Sequence, residues 1–465
     1  MRFNQQFISS VLPEARFHGS PLQEISSIAV DSRTLQKGEV FAAIKGSRVD
    51  GHDFIAEAIK KGASGIMIDA DKEDSILKKI PLKNIFVIVT PDTKKALISL
   101  ATVWRSNFDI PIIGITGSIG KTTTKEMIAN ILRAHGMNFV ASRGNQNTAL
   151  GVSLNLLKIR PEHKAAVLEM GVSKRGEMAR MAELARPTTA VVTSIGHSHM
   201  EGLGSLGDIA NEKRDIFKYF KESNIGILHG DHAVLSQISY PHPIIRFGSK
   251  TTNQIQARKI QSNNLSTTFV LKLYKERHVI MLDSNHAGRV LNALAAAAVG
   301  YLLSIPSKTI IQGIQQPLHI EGRYEATQLK AAKGILINDA YNASPESMKA
   351  ALLAFEKVES KGQKIAVLGD MLELGVNSPF WHRQLGRFLR KVPSLHHVIL
   401  VGDLVKWTKA TVPVGITFEH VPTWKEAVSS LKKRLDKEAA ILVKGSLGMH
   451  LDNLVVELTE SEKQQ

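Results

Sequence analysis

One stretch constrains this chain more than any other: IPIIGITGSIGKTTTKEMIANILRAHG, residues 110–136. It reads as an apolar run of strand length, a turn rich in glycine, then an amphipathic helix. Glycines let backbone N–H groups close on an anion with no Cβ in the way. The start of the helix adds a partial positive charge. Lys121 is placed to reach the β- and γ-phosphates of a nucleotide, and the Thr122 hydroxyl to bind magnesium. Thr116, Gly117, Ser118, Ile119, Gly120, Lys121, Thr122 and Thr123 are therefore candidate nucleotide-binding residues. The strict phosphate-loop spacing asks for glycine at 115, where the chain has Ile115 flanked by Gly114 and Gly117. A plain helix cap is the bland alternative; the preceding strand and the Lys-Thr pair argue against it.

Several further runs (AAVLEMG, AVVTSIG, NIGILHG) are apolar throughout rather than alternating. Such strands are buried on both faces, which points to a mostly parallel sheet covered by helices, an α/β class. TTFVLKLYKERHVIML alternates instead and predicts an antiparallel hairpin. A second series (GILINDA, KIAVLGDML, HHVILVG, AAILVKG) repeats the doubly wound pattern later in the chain. Before residue 86, SIAVDSRTL, GEVFAAIKG and SGIMIDA read as strands, and GHDFIAEAIKKGA as a helix closed by Gly62. The expected domains are 1–85, 86–317 and 318–465, and 465 residues suffice for three cores.

Composition excludes more than it assigns. With no cysteine there is no disulfide, thiolate nucleophile or Cys-bound zinc, which fits a reducing cytoplasm. No apolar run reaches the roughly 18 residues of a membrane span, so no stable membrane insertion is expected. The net charge of +16 raises the question of nucleic acid. The longest basic run is LKKR and no aromatic residues interleave with it, so dispersed charge that helps capture anionic small molecules is the expectation.

The motif Gly-x-Thr-Gly-x-x-Gly-Lys-Thr, residues 114–122, resembles the loop of the Mur ligase family, ATP-dependent amide ligases of peptidoglycan assembly. The resemblance implies a three-domain architecture: a UDP-muramoyl-binding domain, a central P-loop ATPase domain and a C-terminal Rossmann-like domain for the incoming dipeptide. It also changes how other residues read. Glu169 ends the AAVLEMG run, His197 and His199 are expected exposed in the loop SIGHSHMEGLGS, and Lys213 lies on the following helix. On their own these identify nothing; a loop histidine is commonly just solvated. The family likeness implies that Glu169 and His199 help hold a second magnesium, and that Lys213 becomes a carbamate that joins them. By the same likeness Asn145 faces the γ-phosphate, Asn292 the adenine, Arg323 of IEGRYE a phosphate, Asp339 the ribose, and Asn342 the phosphates.

Two departures accompany the likeness. Gly288 and Arg289 stand where relatives usually read His-Asn, and Thr148 stands where a second Asn is common. Within the family, INDAYNASPESM, VLGDMLELG and LVKGSLGMHL are similar to the branch that adds D-alanyl-D-alanine to a UDP-N-acetylmuramoyl-tripeptide. The Asp-Asn-Pro-Arg motif of the branch that adds a diamino acid is absent. DSRTLQKGEVFAAIKGSRVDGHDF resembles the uridine-nucleotide domain of the late-acting members, which implies Ser32, Arg33, Lys45 and Asp50 around UDP or muramoyl. Lysine and diaminopimelate both remain open as the tripeptide's third residue. ATP, magnesium and a monomeric protein without a nucleic-acid partner complete the expectation.

Overall fold

The computed structural model describes residues 2–46, 49–80, 82–329 and 334–461. The chain forms two compact units, the first from residues 1–114, 137–171 and 179–188, the second from 115–136, 172–178 and 189–465, so it passes between them repeatedly.

In the first unit a five-stranded sheet has the order β1-β5-β4-β3-β2. Its strands are β1 (Arg16–His18), β2 (Ile28–Ala29), β3 (Val40–Ala42), β4 (Gly65–Asp69) and β5 (Phe86–Thr90). All neighbours are parallel except β1, which pairs antiparallel with β5. β5 lies just past residue 85 in sequence, yet it belongs to this sheet. Its five residues are all buried, as are those of β3. Gly62 closes the helix before β4 with φ +91. Trp104 packs against Phe3, Phe7 and Phe108, and its indole N–H donates to the Ile159 carbonyl at 3.0 Å. This unit also holds the parallel pair β7 (Phe139–Ala141) and β8 (Ala165–Glu169). β6 (Ile112–Thr116) carries the chain across the boundary.

The second unit begins at Ile115 and includes the helix Lys121–Ala134. Its strands β9 (Thr189–Val192), β10 (Ile225–His229), β11 (Ile244–Gly248) and β12 (Ile255–Asn263) run parallel in that order. β13 (Ser266–Leu273) and β14 (Glu276–Leu282) form the antiparallel hairpin expected from their alternation. Phe269, Leu271 and Ile280 face inward, while Val279 and Met281 face out. The helix Ala287–Leu302 covers this region with buried Ala293 and Ala295 to Ala298, small enough to let it approach closely.

The third sheet, in the same unit, has the order β15-β16-β20-β17-β18-β19. Its strands are β15 (Glu325–Gln328), β16 (Ile335–Asp339), β17 (Lys364–Gly369), β18 (His397–Val401), β19 (Thr417–Val421) and β20 (Ala440–Lys444). Only β15 is antiparallel. β17, β18 and β20 are buried at every position, as continuous apolar runs require. Asp339, Asp370 and Lys444 therefore emerge at the carboxyl ends of parallel strands, where α/β sheets place ligands. No helix among the described residues is long and apolar enough to cross a membrane.

Candidate functional site

β6 delivers Thr116, fully buried, to the start of the glycine turn. Gly117 has φ +147 and Gly120 φ +90, and Gly120 caps the helix Lys121–Ala134. A Cβ on Gly117 would lie 2.0 Å from Thr193 Oγ1, and one on Gly120 2.4 Å from Asn292 Oδ1. Both glycines are thus demanded by conformation and by space. The segment after β9 braces the loop: Ser118 N donates to the Ser194 carbonyl (2.9 Å), Ile119 N to Ser194 Oγ (3.1 Å), and Thr193 Oγ1 to the Ile119 carbonyl (2.5 Å). Two N–H groups of the turn are therefore engaged inside the protein, which the reading of a bare cradle did not anticipate. The N–H groups at the start of the helix, among them those of Thr122 and Thr123, have no preceding helical carbonyls to bond and suit an anion. Lys121 Nζ folds back on the Gly117 carbonyl at 2.8 Å. Asn292 joins this cluster, its Oδ1 accepting from Thr124 Oγ1 at 3.3 Å.

Lys213 is 1% exposed, on the helix Leu206–Arg214. Burial pushes its amine well below the ordinary lysine value; the nearby Lys121 charge adds to that, and Glu212 opposes it. Glu212 is itself buried, its carboxylate accepting from Gly176 N (2.7 Å) and Met178 N (2.8 Å). Desolvation is the largest cause of that lowering.

His197 and His199 are half-buried, not exposed as expected. The reason is a set of partners from distant segments. His197 N donates to Glu346 Oε2 at 3.1 Å, its ring Nδ1 meets Glu346 Oε1, and the Trp381 ring lies against it at 4.3 Å, tilted by 47°. His199 Nδ1 meets Glu373.

Asp339 is nine-tenths buried in a pair that the sequence reading missed: Lys444 Nζ lies 2.7 Å from its Oδ2, while Tyr324 N donates to its Oδ1 at 3.0 Å. Lys444 also donates to the Asn342 carbonyl at 2.9 Å. The signals for Lys444 were a lysine ending an otherwise apolar strand and its place in the stretch LVKGSLGMHL; neither named Asp339 as its partner. Arg323 lies over the Tyr341 ring at 3.8 Å. Arg289, 6% exposed, donates to the Arg323 carbonyl at 3.2 Å, so the residue that departs from the family pattern braces the arginine assigned to phosphate. Gly288 N donates to His286 Nδ1 at 3.2 Å, which caps the helix.

The remaining candidates lie in the first unit, each with its own surroundings. Glu169 is 1% exposed; Asn147 Nδ2 donates to its Oε1 at 2.9 Å and its Oε2 has no hydrogen-bond partner. Asn147, not the exposed Asn145, is the asparagine that meets this carboxylate. Thr148 caps the next helix, accepting from Gly151 N at 3.3 Å, which gives the departure from the common Asn a structural use. Ser32 Oγ donates to Glu57 Oε2 at 3.1 Å, exposed Arg33 pairs with Asp31 at 2.7 Å, and Asp50 Oδ1 accepts from His52 N at 3.0 Å. Lys45 is exposed and bridges Asp50 through the backbone. Among the described residues no three His, Asp or Glu side chains are grouped to hold a metal ion.

Three family models match: the Mur ligase family catalytic domain over residues 24–104, the Mur ligase middle domain over 115–300 and the Mur ligase glutamate ligase domain over 322–447. The chain is 35% identical to the UDP-N-acetylmuramoyl-tripeptide–D-alanyl-D-alanine ligase of Bacillus subtilis, covering 94% of each chain. It is 31% identical to the enzyme of that name from Escherichia coli, again over 94% of each. A crystal structure of MurF from Acinetobacter baumannii superposes with a TM-score of 0.84 at 29% identity, covering 99% of each chain. That of MurF from Thermotoga maritima in complex with ADP gives 0.76 at 28% identity, covering 94% of this chain and 97% of that one.

Proposed function

This chain belongs to the Mur ligase family, and we propose that it is the ATP-dependent ligase joining D-alanyl-D-alanine to UDP-N-acetylmuramoyl-tripeptide. That is the last cytoplasmic step in making UDP-muramoyl-pentapeptide for peptidoglycan. The observation that carries the reading is the identity of 35% to a ligase of that name over 94% of both chains. The stretch DAYNASPESM, at the carboxyl end of β16, supports the choice of dipeptide over a diamino acid.

A carboxylate is a poor electrophile, so it must first be phosphorylated. The tripeptide's terminal carboxylate attacks the γ-phosphate to give an acyl phosphate and ADP; the amine of D-alanyl-D-alanine then displaces phosphate. The first step brings two anions together, and like charges about 4 Å apart repel by roughly 4 kcal/mol at an effective dielectric near 20. That is about three decades in rate. Lys121 and Arg323 are the protein cations assigned to offset it. Thr122, Glu169, His199 and Lys213 are the residues assigned to magnesium. The unpartnered, buried Glu169 Oε2 supports this, since a buried carboxylate oxygen without a donor suits a hard cation. Magnesium, when bound, would supply positive charge against the phosphate oxygens. A buried neutral amine at Lys213 is the form that reacts with carbon dioxide, and its carbamate is an anion with two hard oxygens.

Residues 1–85 are assigned to UDP-muramoyl through Ser32, Arg33, Lys45 and Asp50, residues 86–317 to ATP, and 318–465 to the dipeptide, with Asp339 and Asn342 toward the nucleotide. The protein is placed in the cytoplasm as a monomer. A panel of amino acids and dipeptides offered with UDP-muramoyl-tripeptide and ATP tests the assignment through phosphate release: D-alanyl-D-alanine should stand well above diaminopimelate, lysine and single alanine.

A further inference from the structure

Two side chains with strained backbone face each other in the second unit. His199, on the loop after β9, has φ +57; Glu373, on the loop after β17, has φ +62. Left-handed backbone is unfavourable for a non-glycine residue and persists only where the surroundings hold it. Here the two strained residues bond one another through His199 Nδ1 and the Glu373 carboxylate. A second bond fixes the approach: Glu201 N, two residues past His199, donates to the Glu373 carbonyl at 3.1 Å. The loop is also pinned next door, where His197 is held by Glu346 and Trp381.

A glutamate carboxylate is ionised at neutral pH and can only accept hydrogen bonds. The imidazole nitrogen facing it must therefore carry the hydrogen. In a neutral ring the other nitrogen, Nε2, then keeps its lone pair. Carboxylate partners of this kind orient metal-binding histidines, and losing one costs metal affinity about 10–100-fold. Nothing in the sequence joins these residues, which lie 174 positions apart.

We propose that Glu373 is a positioning residue that holds the His199 ring in the Nδ1–H tautomer, with Nε2 free for a metal ion. The inference rests on His199 as a metal ligand. Because Glu373 follows β17 and His199 follows β9, strands of two different sheets, the ligand is set correctly only while that contact is made.

The test uses the full-length protein with histidine ring nitrogens labelled, read by NMR, and Mn2+ binding measured by electron paramagnetic resonance in the presence of ADP. Wild type should show His199 as the Nδ1–H tautomer. Glu373→Ala and Glu373→Gln should shift it toward Nε2–H or a mixture and weaken Mn2+ about tenfold or more, while Glu373→Asp retains part of both. An unchanged tautomer in Glu373→Ala overturns the proposal. So does an altered tautomer with unchanged Mn2+ affinity, provided His199→Ala weakens Mn2+. If His199→Ala leaves Mn2+ affinity intact, the ligand role of His199 falls, and the tautomer alone then decides whether Glu373 holds the ring.

Discussion

At Lys213 stability and chemistry pull in opposite directions. A buried amine without a matching carboxylate favours its neutral form. Between its lowered folded value and the ordinary 10.5, the unfolded chain holds a proton that the folded chain lacks, so stability rises with pH across that window. Lys213→Met removes this cost, and in carbon-dioxide-free buffer should gain on the order of 1 kcal/mol at neutral pH. Thermal melts should show the gain shrinking as pH approaches 10.5. The same variant should lose most ligation. Lys213→Ala should lose it too, and formate or acetate should restore part by filling the space of the carbamate; near-normal turnover of Lys213→Ala without carbon dioxide would sink the idea. Lys121→Ala should keep its circular dichroism spectrum and lose at least a hundredfold in turnover, since Lys121 bonds the loop and not the core. Residues tied to a local motif, such as Gly117, Gly120 and Lys121, were legible from sequence. Asn147, Glu373 and Lys444 were not, because each gains its meaning from a partner far away in the chain.

Among the elements, the helix Ala287–Leu302 carries the clearest pH dependence. Its cap is His286, whose Nδ1 accepts from Gly288 N, so the cap needs a neutral ring. Burial pushes His286 down to about 4. Below its unfolded value near 6.5 the unfolded chain takes up a proton that the folded chain refuses, so stability is lost as pH falls from 6.5 toward 4. The ring is half-buried, and the loss should amount to about 1–3 kcal/mol. His286→Asn keeps a capping acceptor and should flatten that part of the stability curve; an unchanged curve in urea unfolding would contradict it. The buried parallel strands were legible because apolarity on both faces leaves a continuous run. β5 shows the limit of that signal: five buried residues mark a strand but not which sheet takes it, and it joins the first sheet beyond the expected edge at 85. β19, mostly exposed at the edge of the third sheet, left no apolar run to find.

For the whole molecule, the net charge of +16 and the two anionic substrates of the proposed reaction, ATP and UDP-muramoyl-tripeptide, give a prediction of their own. Screening shortens the Debye length from about 10 Å at 0.1 M salt to about 3 Å at 1 M. Raising ionic strength across that range should increase KM for UDP-muramoyl-tripeptide several-fold and change kcat less, because dispersed charge aids capture more than chemistry. Steady-state kinetics at matched pH would show it, and a salt-independent KM would contradict it. The central claim is that one chain couples ATP cleavage to joining a UDP-linked tripeptide with a dipeptide. It is tested most directly by following ADP release from the full-length protein with UDP-N-acetylmuramoyl-tripeptide and ATP, with and without D-alanyl-D-alanine. Sustained ADP release only when the dipeptide is present, matched one for one by pentapeptide, is the predicted result; ADP release at the same rate without the dipeptide, or none with it, would contradict the account.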